Sequence, residues 1–178
     1  MKKLLLVLQM IKFEHTVFAL PFAFLGAFLA ADGFPGLQTS VWIILAMLGA
    51  RSTAMAFNRL ADRLLDSLNP RTADRALPRG LVSLQFVCAF IGGSAALFIF
   101  SAWMLNELSF QLSPVALVII CFYSYTKRFT SLSHLFLGVS LAIAPIGGWI
   151  AVRGEVAISP FYLAAAVVFW VGGFDIIY

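Results

Sequence analysis

Asn58, Asp62 and Asp66 recur at intervals of four in a chain that carries few charges. On an α-helix, each step of four residues advances about 40° beyond a full turn, so the three lie within roughly 80° of one face. Two carboxylates and an amide so placed repel one another unless a cation sits among them. An all-oxygen donor set suits Mg²⁺ or Mn²⁺ better than zinc, and Mg²⁺ commonly combines one or two carboxylates with phosphate oxygens and water. Arg59, Arg63, Arg71, Arg75 and Arg79 stand around them. Guanidinium groups are bidentate donors matched to phosphate. Carboxylates for a metal and arginines for phosphate describe a metal–diphosphate site. A charged helix end obeying membrane topology rules would also account for these charges, and spacing alone does not decide between the two.

The elements that must position these residues are membrane helices. Of the 178 residues, 62% are hydrophobic and only 11% charged, and the mean hydropathy is +0.97. A soluble domain carries about 25% charged residues, so this composition belongs in a bilayer. A spanning helix needs about 20 mostly apolar residues. The pattern predicts an all-α, multi-pass bundle of six helices over residues 13–31, 40–66, 82–105, 110–125, 135–152 and from about 161 to the end, forming one domain over 1–178. The second helix carries the aspartates to its end. Arg51 lies inside it, either snorkelling or facing a polar cavity. Pro21 and Pro145 are expected to kink the first and fifth helices. Small residues at 92–96 and Gly147–Gly148 are expected to permit close helix approach.

With the N-terminus in the cytoplasm, inside segments hold Lys2, Lys3, Lys12, Arg59, Arg63, Arg71, Arg75, Arg79, Lys127 and Arg128, while outside loops hold only Arg153. The positive-inside rule therefore places the N-terminus, the aspartate loop and the Lys127–Arg128 loop on the cytoplasmic side. Asp175 returns to the same face. The expected location is an inner (cytoplasmic) membrane. Lys2 and Lys3 precede too short an apolar run, without a small-residue cleavage site, to read as a signal peptide. Cys88 and Cys121 sit in apolar runs as packing residues, with no disulfide or thiolate-metal spacing. The net charge of +4 comes from split short segments, so nucleic acid is not an expected partner.

Residues 57–80, FNRLADRLLDSLNPRTADRALPRG, resemble the first aspartate-rich motif of the UbiA superfamily of intramembrane aromatic prenyltransferases. Asn58, Asp62, Asp66, Arg71, Thr72, Arg75, Pro78 and Gly80 match it. Tyr123-Ser124-Tyr125-Thr126-Lys127-Arg128 resembles the family's Tyr-Ser…Lys-Arg segment, which implies diphosphate contact for Lys127 and Arg128 and aromatic-substrate contact for Tyr123 and Ser124. Read without the family, that segment is an interfacial tyrosine belt followed by inside-positive charge. Lys12, His15, Thr16, Phe18, Leu20, Pro21 and Phe22 follow the family's opening, with Lys12 where an arginine often stands and a further aromatic-substrate contact is implied. Asp175 resembles the first aspartate of the second aspartate-rich motif. The family has about nine helices, so the six here are expected to be the N-terminal part of a longer enzyme.

The resemblance implies transfer of a polyprenyl group from polyprenyl diphosphate to an aromatic acid such as 4-hydroxybenzoate in ubiquinone or menaquinone synthesis. Asn58, Asp62 and Asp66 would hold one Mg²⁺, and Asp175 would contribute to a second. Arg79, Lys127 and Arg128 would neutralise the departing diphosphate, and Asp62, Asp66 and Asp175 would be the catalytic residues through the metals they hold. The segments around residues 54–59 and 174–178 also look like the branch acting on a dihydroxynaphthoate. A transporter would instead favour broken helices with polar groups near the bilayer midplane. A non-catalytic membrane scaffold is the other alternative.

Overall fold

The computed structural model describes residues 6–7, 11 and 13–177, with side chains from residue 19 onward and at residues 6, 7 and 11. Lys2, Lys3, Lys12 and Tyr178 lie outside the described residues, as do the side chains of Glu14 and His15. The described chain is helical: α1 (Phe13–Ala31), α2 (Leu37–Ala61), α3 (Arg63–Leu68), α4 (Leu84–Leu105), α5 (Glu107–Thr126), α6 (Ser133–Arg153) and α7 (Ser159–Ile177). Five of these are long and apolar enough to cross a membrane, and α1 adds a shorter apolar stretch, Ala19–Ala31.

The core is rich in alanine, glycine and serine, with a few Ile and Val, and the outside carries most of the large residues. Ala19, Ala23, Ala27 and Ala30 are buried along one face of α1, whereas Leu25, Phe28 and Leu29 on the same helix are exposed. Lipid tails are as apolar as leucine, so helices in a bilayer gain little by hiding large side chains and associate through close packing of small ones. Phe169, Val118 and Trp103 point outward in the same way.

Close approach happens at particular glycines. A Cβ on Gly26 would collide with the Pro145 backbone, and one on Gly148 would collide with the backbone of Ala23, so α1 and α6 touch through bare backbone from both sides. Gly49 does the same for α2 against Ser94 and Phe98 of α4. Gly92 and Gly93, expected to serve this purpose, have nothing within 4 Å of an added Cβ, and neither does Gly147. The expectation holds at Gly148 and fails at the Gly92–Gly93 pair, because the face of α4 turned to α2 carries Ser94 instead. The helices run through Pro21, Pro114 and Pro145.

These seams divide the bundle. α2 packs chiefly on α4, and α6 chiefly on α1 and α7; α5 touches both groups. The second helix, expected to run unbroken to residue 66, stops at Ala61, and Asp62 (φ −90°, ψ 1°) separates it from the short α3. The helical hydrogen bonds nonetheless continue across the break: Asp62 N donates to Asn58 O at 3.0 Å and Asp66 N to Asp62 O at 2.8 Å. The four-residue stacking of the triplet therefore survives the interruption. Beyond α3 the chain folds back in turns that end at Gly80 (φ 68°). There Gly80 N donates to Leu77 O at 3.1 Å and Leu81 N to Ala76 O at 2.9 Å, the paired bonds of a glycine-terminated helical turn.

Candidate functional site

The break at Asp62 puts both carboxylates inside the protein: Asp62 is 3% and Asp66 6% exposed. Buried carboxylates need cationic partners, and each has one from a different part of the chain. Lys127 Nζ, at the C-terminal end of α5, pairs with Asp62 Oδ2. A cation there also favours the negative end of the helix dipole. Arg128 donates to the Ala61 carbonyl at 2.5 Å and lies 3.6 Å from Asp62 Oδ1, with its guanidinium 5.0 Å from the Tyr125 ring centre. Arg75 reaches back from the loop, NH1 standing 2.7 Å from both oxygens of Asp66. Thr72 Oγ1 donates to the Asp66 carbonyl at 3.0 Å, which pins the loop over the aspartate.

Asn58 completes the cluster. Its Nδ2 is 3.4 Å from Ser124 Oγ, a residue with no exposed surface, so α2 and α5 are tied together at this level. The α2–α5 seam therefore joins Asn58, Asp62, Ser124, Lys127 and Arg128, five residues drawn from two distant segments of sequence.

Beneath this cluster lies a cavity of about 640 Å³. Its walls are mostly apolar, including Met47, Ala54, Ile120, Leu137 and Leu141, and its polar wall groups include Asn58, Arg75, Tyr123, Lys127 and Asp175. Asp62 and Asp66 stand one layer behind, reached through their partners Lys127 and Arg75. Tyr123 lies within electrostatic reach of Asp62, Asp175 and Arg51. Asp175, near the end of α7, also has His134 Nδ1 of α6 at 2.9 Å from its Oδ2.

Arg79 lies elsewhere. Its NH1 is 3.9 Å from Asp74, and it lines a separate pocket of about 330 Å³ with Arg59, Asp74 and Arg75. Arg75 takes the place nearest the aspartates. Two further residues carry chemistry that sequence reasoning did not assign. Arg51 faces the cavity, and its buried Nε has no hydrogen-bond partner. His134 meets Asp175 across 41 residues of sequence. A charge inside an apolar run already marks Arg51; no spacing marks His134.

Among the described residues no three His, Cys, Asp or Glu groups converge on a point that could hold a metal ion. The donors nevertheless fit a hard cation shared with a phosphate. Asn58, Asp62 and Asp66 offer only oxygen and amide ligands, and the buried Oδ1 of Asp62 accepts no hydrogen bond. An ion that draws its remaining ligands from phosphate and water needs no more than this.

An integral membrane protein, with an apolar cavity whose polar end carries basic groups paired to buried carboxylates, is the class this fold and site define. The pattern of the UbiA prenyltransferase family matches residues 19–178, and the chain belongs to that family. It is 36% identical over 152 residues to a 4-hydroxybenzoate octaprenyltransferase of Shewanella amazonensis, covering 84% of this chain and 52% of that protein. The structure of a UbiA homologue from Aeropyrum pernix K1 superposes with a TM-score of 0.86 at 40% identity, covering 93% of this chain and 62% of the other. A homologue from Archaeoglobus fulgidus bound to GPP and Mg²⁺ shares the fold, with a TM-score of 0.73 at 22% identity over 96% of this chain and 61% of that one. The chain spans about half the length of the curated relatives it matches.

Proposed function

We propose that the protein carrying this chain transfers a polyprenyl group from polyprenyl diphosphate to an aromatic acid of the 4-hydroxybenzoate type, in quinone synthesis. The observation that carries this reading is the join between an apolar cavity of about 640 Å³ and the Asp62–Lys127 and Asp66–Arg75 pairs at its polar end. A prenyl diphosphate has the matching polarity, with a long apolar tail and a strongly anionic head. The name of the Shewanella relative and the ligands of the Archaeoglobus homologue support the same substrate classes.

Asn58, Asp62 and Asp66 would hold Mg²⁺, with Asp175, which lines the same cavity, contributing from α7. The ion would supply Lewis-acid stabilisation of the charge that develops on the leaving diphosphate. Lys127, Arg128 and Arg75 then face the developing charge of the departing diphosphate, and that electrostatic stabilisation lowers the barrier to C–O cleavage. Arg79, on its neighbouring pocket, attracts the diphosphate toward the site. The apolar walls keep water from the allylic cation until the aromatic ring attacks it, after which the ring loses a proton. Tyr123 and Ser124 border the acceptor's position, and Lys12 belongs to the same reading. Arg51 supplies a buried cation with an unpartnered Nε to receive the acceptor's carboxylate. The aspartates and the Lys127–Arg128 loop face the cytoplasm across the inner membrane.

The test is Asp62→Asn in the full-length protein, assayed in membranes with a polyprenyl diphosphate and either 4-hydroxybenzoate or a dihydroxynaphthoate. The expected result is loss of nearly all transfer with membrane insertion unchanged, and preference for one acid identifies the acceptor. Full activity in Asp62→Asn refutes the metal assignment. A wild-type protein that releases no diphosphate in the presence of Mg²⁺ would favour a transporter or scaffold.

A further inference from the structure

We propose that His134 is a positioning residue for Asp175, holding its carboxylate at the cavity wall so that one oxygen stays available to a metal–diphosphate ligand. The proposal rests on the metal–diphosphate reading given above.

The contact is built by backbone packing. A Cβ on Gly138 would fall 2.6 Å from the Val168 carbonyl oxygen, so α6 and α7 approach closely there. At the next turns, an added Cβ on Gly172 would stand 3.3 Å from Leu135 Cδ2 and 3.7 Å from the His134 carbonyl. Asp175 lies three residues beyond Gly172, on the same face of α7. The seam therefore delivers Asp175 to His134 by geometry, and the side chains meet at 2.9 Å between Nδ1 and Oδ2. A carboxylate only accepts, so Nδ1 donates. With Oδ2 engaged, Oδ1 is the oxygen left for a ligand in the cavity that Asp175 lines.

The pair has little to do with stability. The two side chains are 37% and 42% exposed, and pairs this open to solvent add little to folding. Orientation is a different matter. No three acidic, cysteine or histidine groups among the described residues form a complete metal cage, so each single ligand such as Asp175 gains from meeting the ion already aligned. Partners that orient metal ligands typically govern affinity by about 10–100-fold when removed.

The chemistry selects the test variants. In asparagine the amide nitrogen sits on Cγ, where Nδ1 sits in histidine, so His134→Asn keeps a donor in place and His134→Ala removes it. Binding of Mn²⁺, read by electron paramagnetic resonance in the presence of inorganic pyrophosphate, reports the site without turnover. In the detergent-solubilised full-length protein, His134→Ala should weaken Mn²⁺ binding by about tenfold or more with an unchanged melting temperature. His134→Asn should restore most of that affinity. In an Asp175→Asn background, His134→Ala should add nothing, since the two act as one unit. Unchanged Mn²⁺ binding in His134→Ala, or a full further loss on top of Asp175→Asn, overturns the proposal. Asp62→Asn separates the two layers of inference. If it abolishes Mn²⁺–pyrophosphate binding while His134→Ala does not weaken it, only the role of His134 fails; if Asp62→Asn leaves binding intact, the metal–diphosphate reading fails with it.

Discussion

Lys127→Met is the substitution that most directly tests the electrostatics of the site. The Asp62 side chain is 5% exposed and its Oδ2 pairs with Lys127. Methionine keeps most of the length and the apolar stem but removes the charge. Asp62 then keeps Arg128, 3.6 Å from Oδ1 and engaged elsewhere with Ala61 O, and Arg59 within electrostatic reach. Removing one member of a buried pair costs about 3–5 kcal/mol, chiefly because the remaining charge is stranded. Lys127 is itself 38% exposed and Arg128 remains close, which places the cost near the lower end, about 3 kcal/mol. At about 2–4 °C per kcal/mol for a chain of this size, the melting midpoint should fall by roughly 6–12 °C. The assay is thermal unfolding in detergent followed by tryptophan fluorescence. Asp62→Asn removes the charge that needs compensating, so the double variant should regain most of the loss. Mg²⁺ with pyrophosphate should narrow the gap between wild type and Lys127→Met, since it brings a cation to the same carboxylate. An unchanged midpoint in Lys127→Met, or a double variant no more stable than that single one, refutes the reasoning.

Two further outcomes follow from the same structure. Arg51→Gln should raise the KM for the aromatic acid by about 10–100-fold, because a hydrogen bond to a charged group contributes about 1.5–3 kcal/mol, and should leave the KM for the prenyl diphosphate unchanged; steady-state kinetics in each substrate decides this. Gly148→Ala should destabilise the bundle by about 1–3 kcal/mol through overpacking against Ala23, while Gly147→Ala, with nothing within 4 Å, should be neutral or stabilising; paired melting curves check both.

The helices were legible because a bilayer imposes one rule on every span, a continuous apolar run of sufficient length. Residues 13–31 coincide with the observed α1, and the other starts and ends shift by a few residues. The close contacts were less legible. Gly92–Gly93 and Gly148 look alike as sequence, and only the side each turns toward a neighbour separates them. The same limit governs the site. Spacing set Asn58, Asp62 and Asp66 on one face because the relation among them is local, and it survives even the helix break at Asp62, since the backbone bonds at 3.0 and 2.8 Å keep their four-residue rhythm.

Relations between helices carry no such rhythm. The sequence shows five arginines around the aspartates, and nothing in their order says that Arg75 would reach Asp66 while Arg79 would turn to Asp74. That choice belongs to the loop. Thr72 fastens to the Asp66 carbonyl, and the turn closing at Gly80 leaves Arg75 facing inward one turn before Arg79. Likewise, His134 acquires its partner only because Gly172 and Gly138 let α6 and α7 close on each other. Local periodicity thus identifies which groups carry charge, and the packing of small residues decides which charges meet. A change at Gly148 or Gly172 can therefore alter this site without touching a charged side chain.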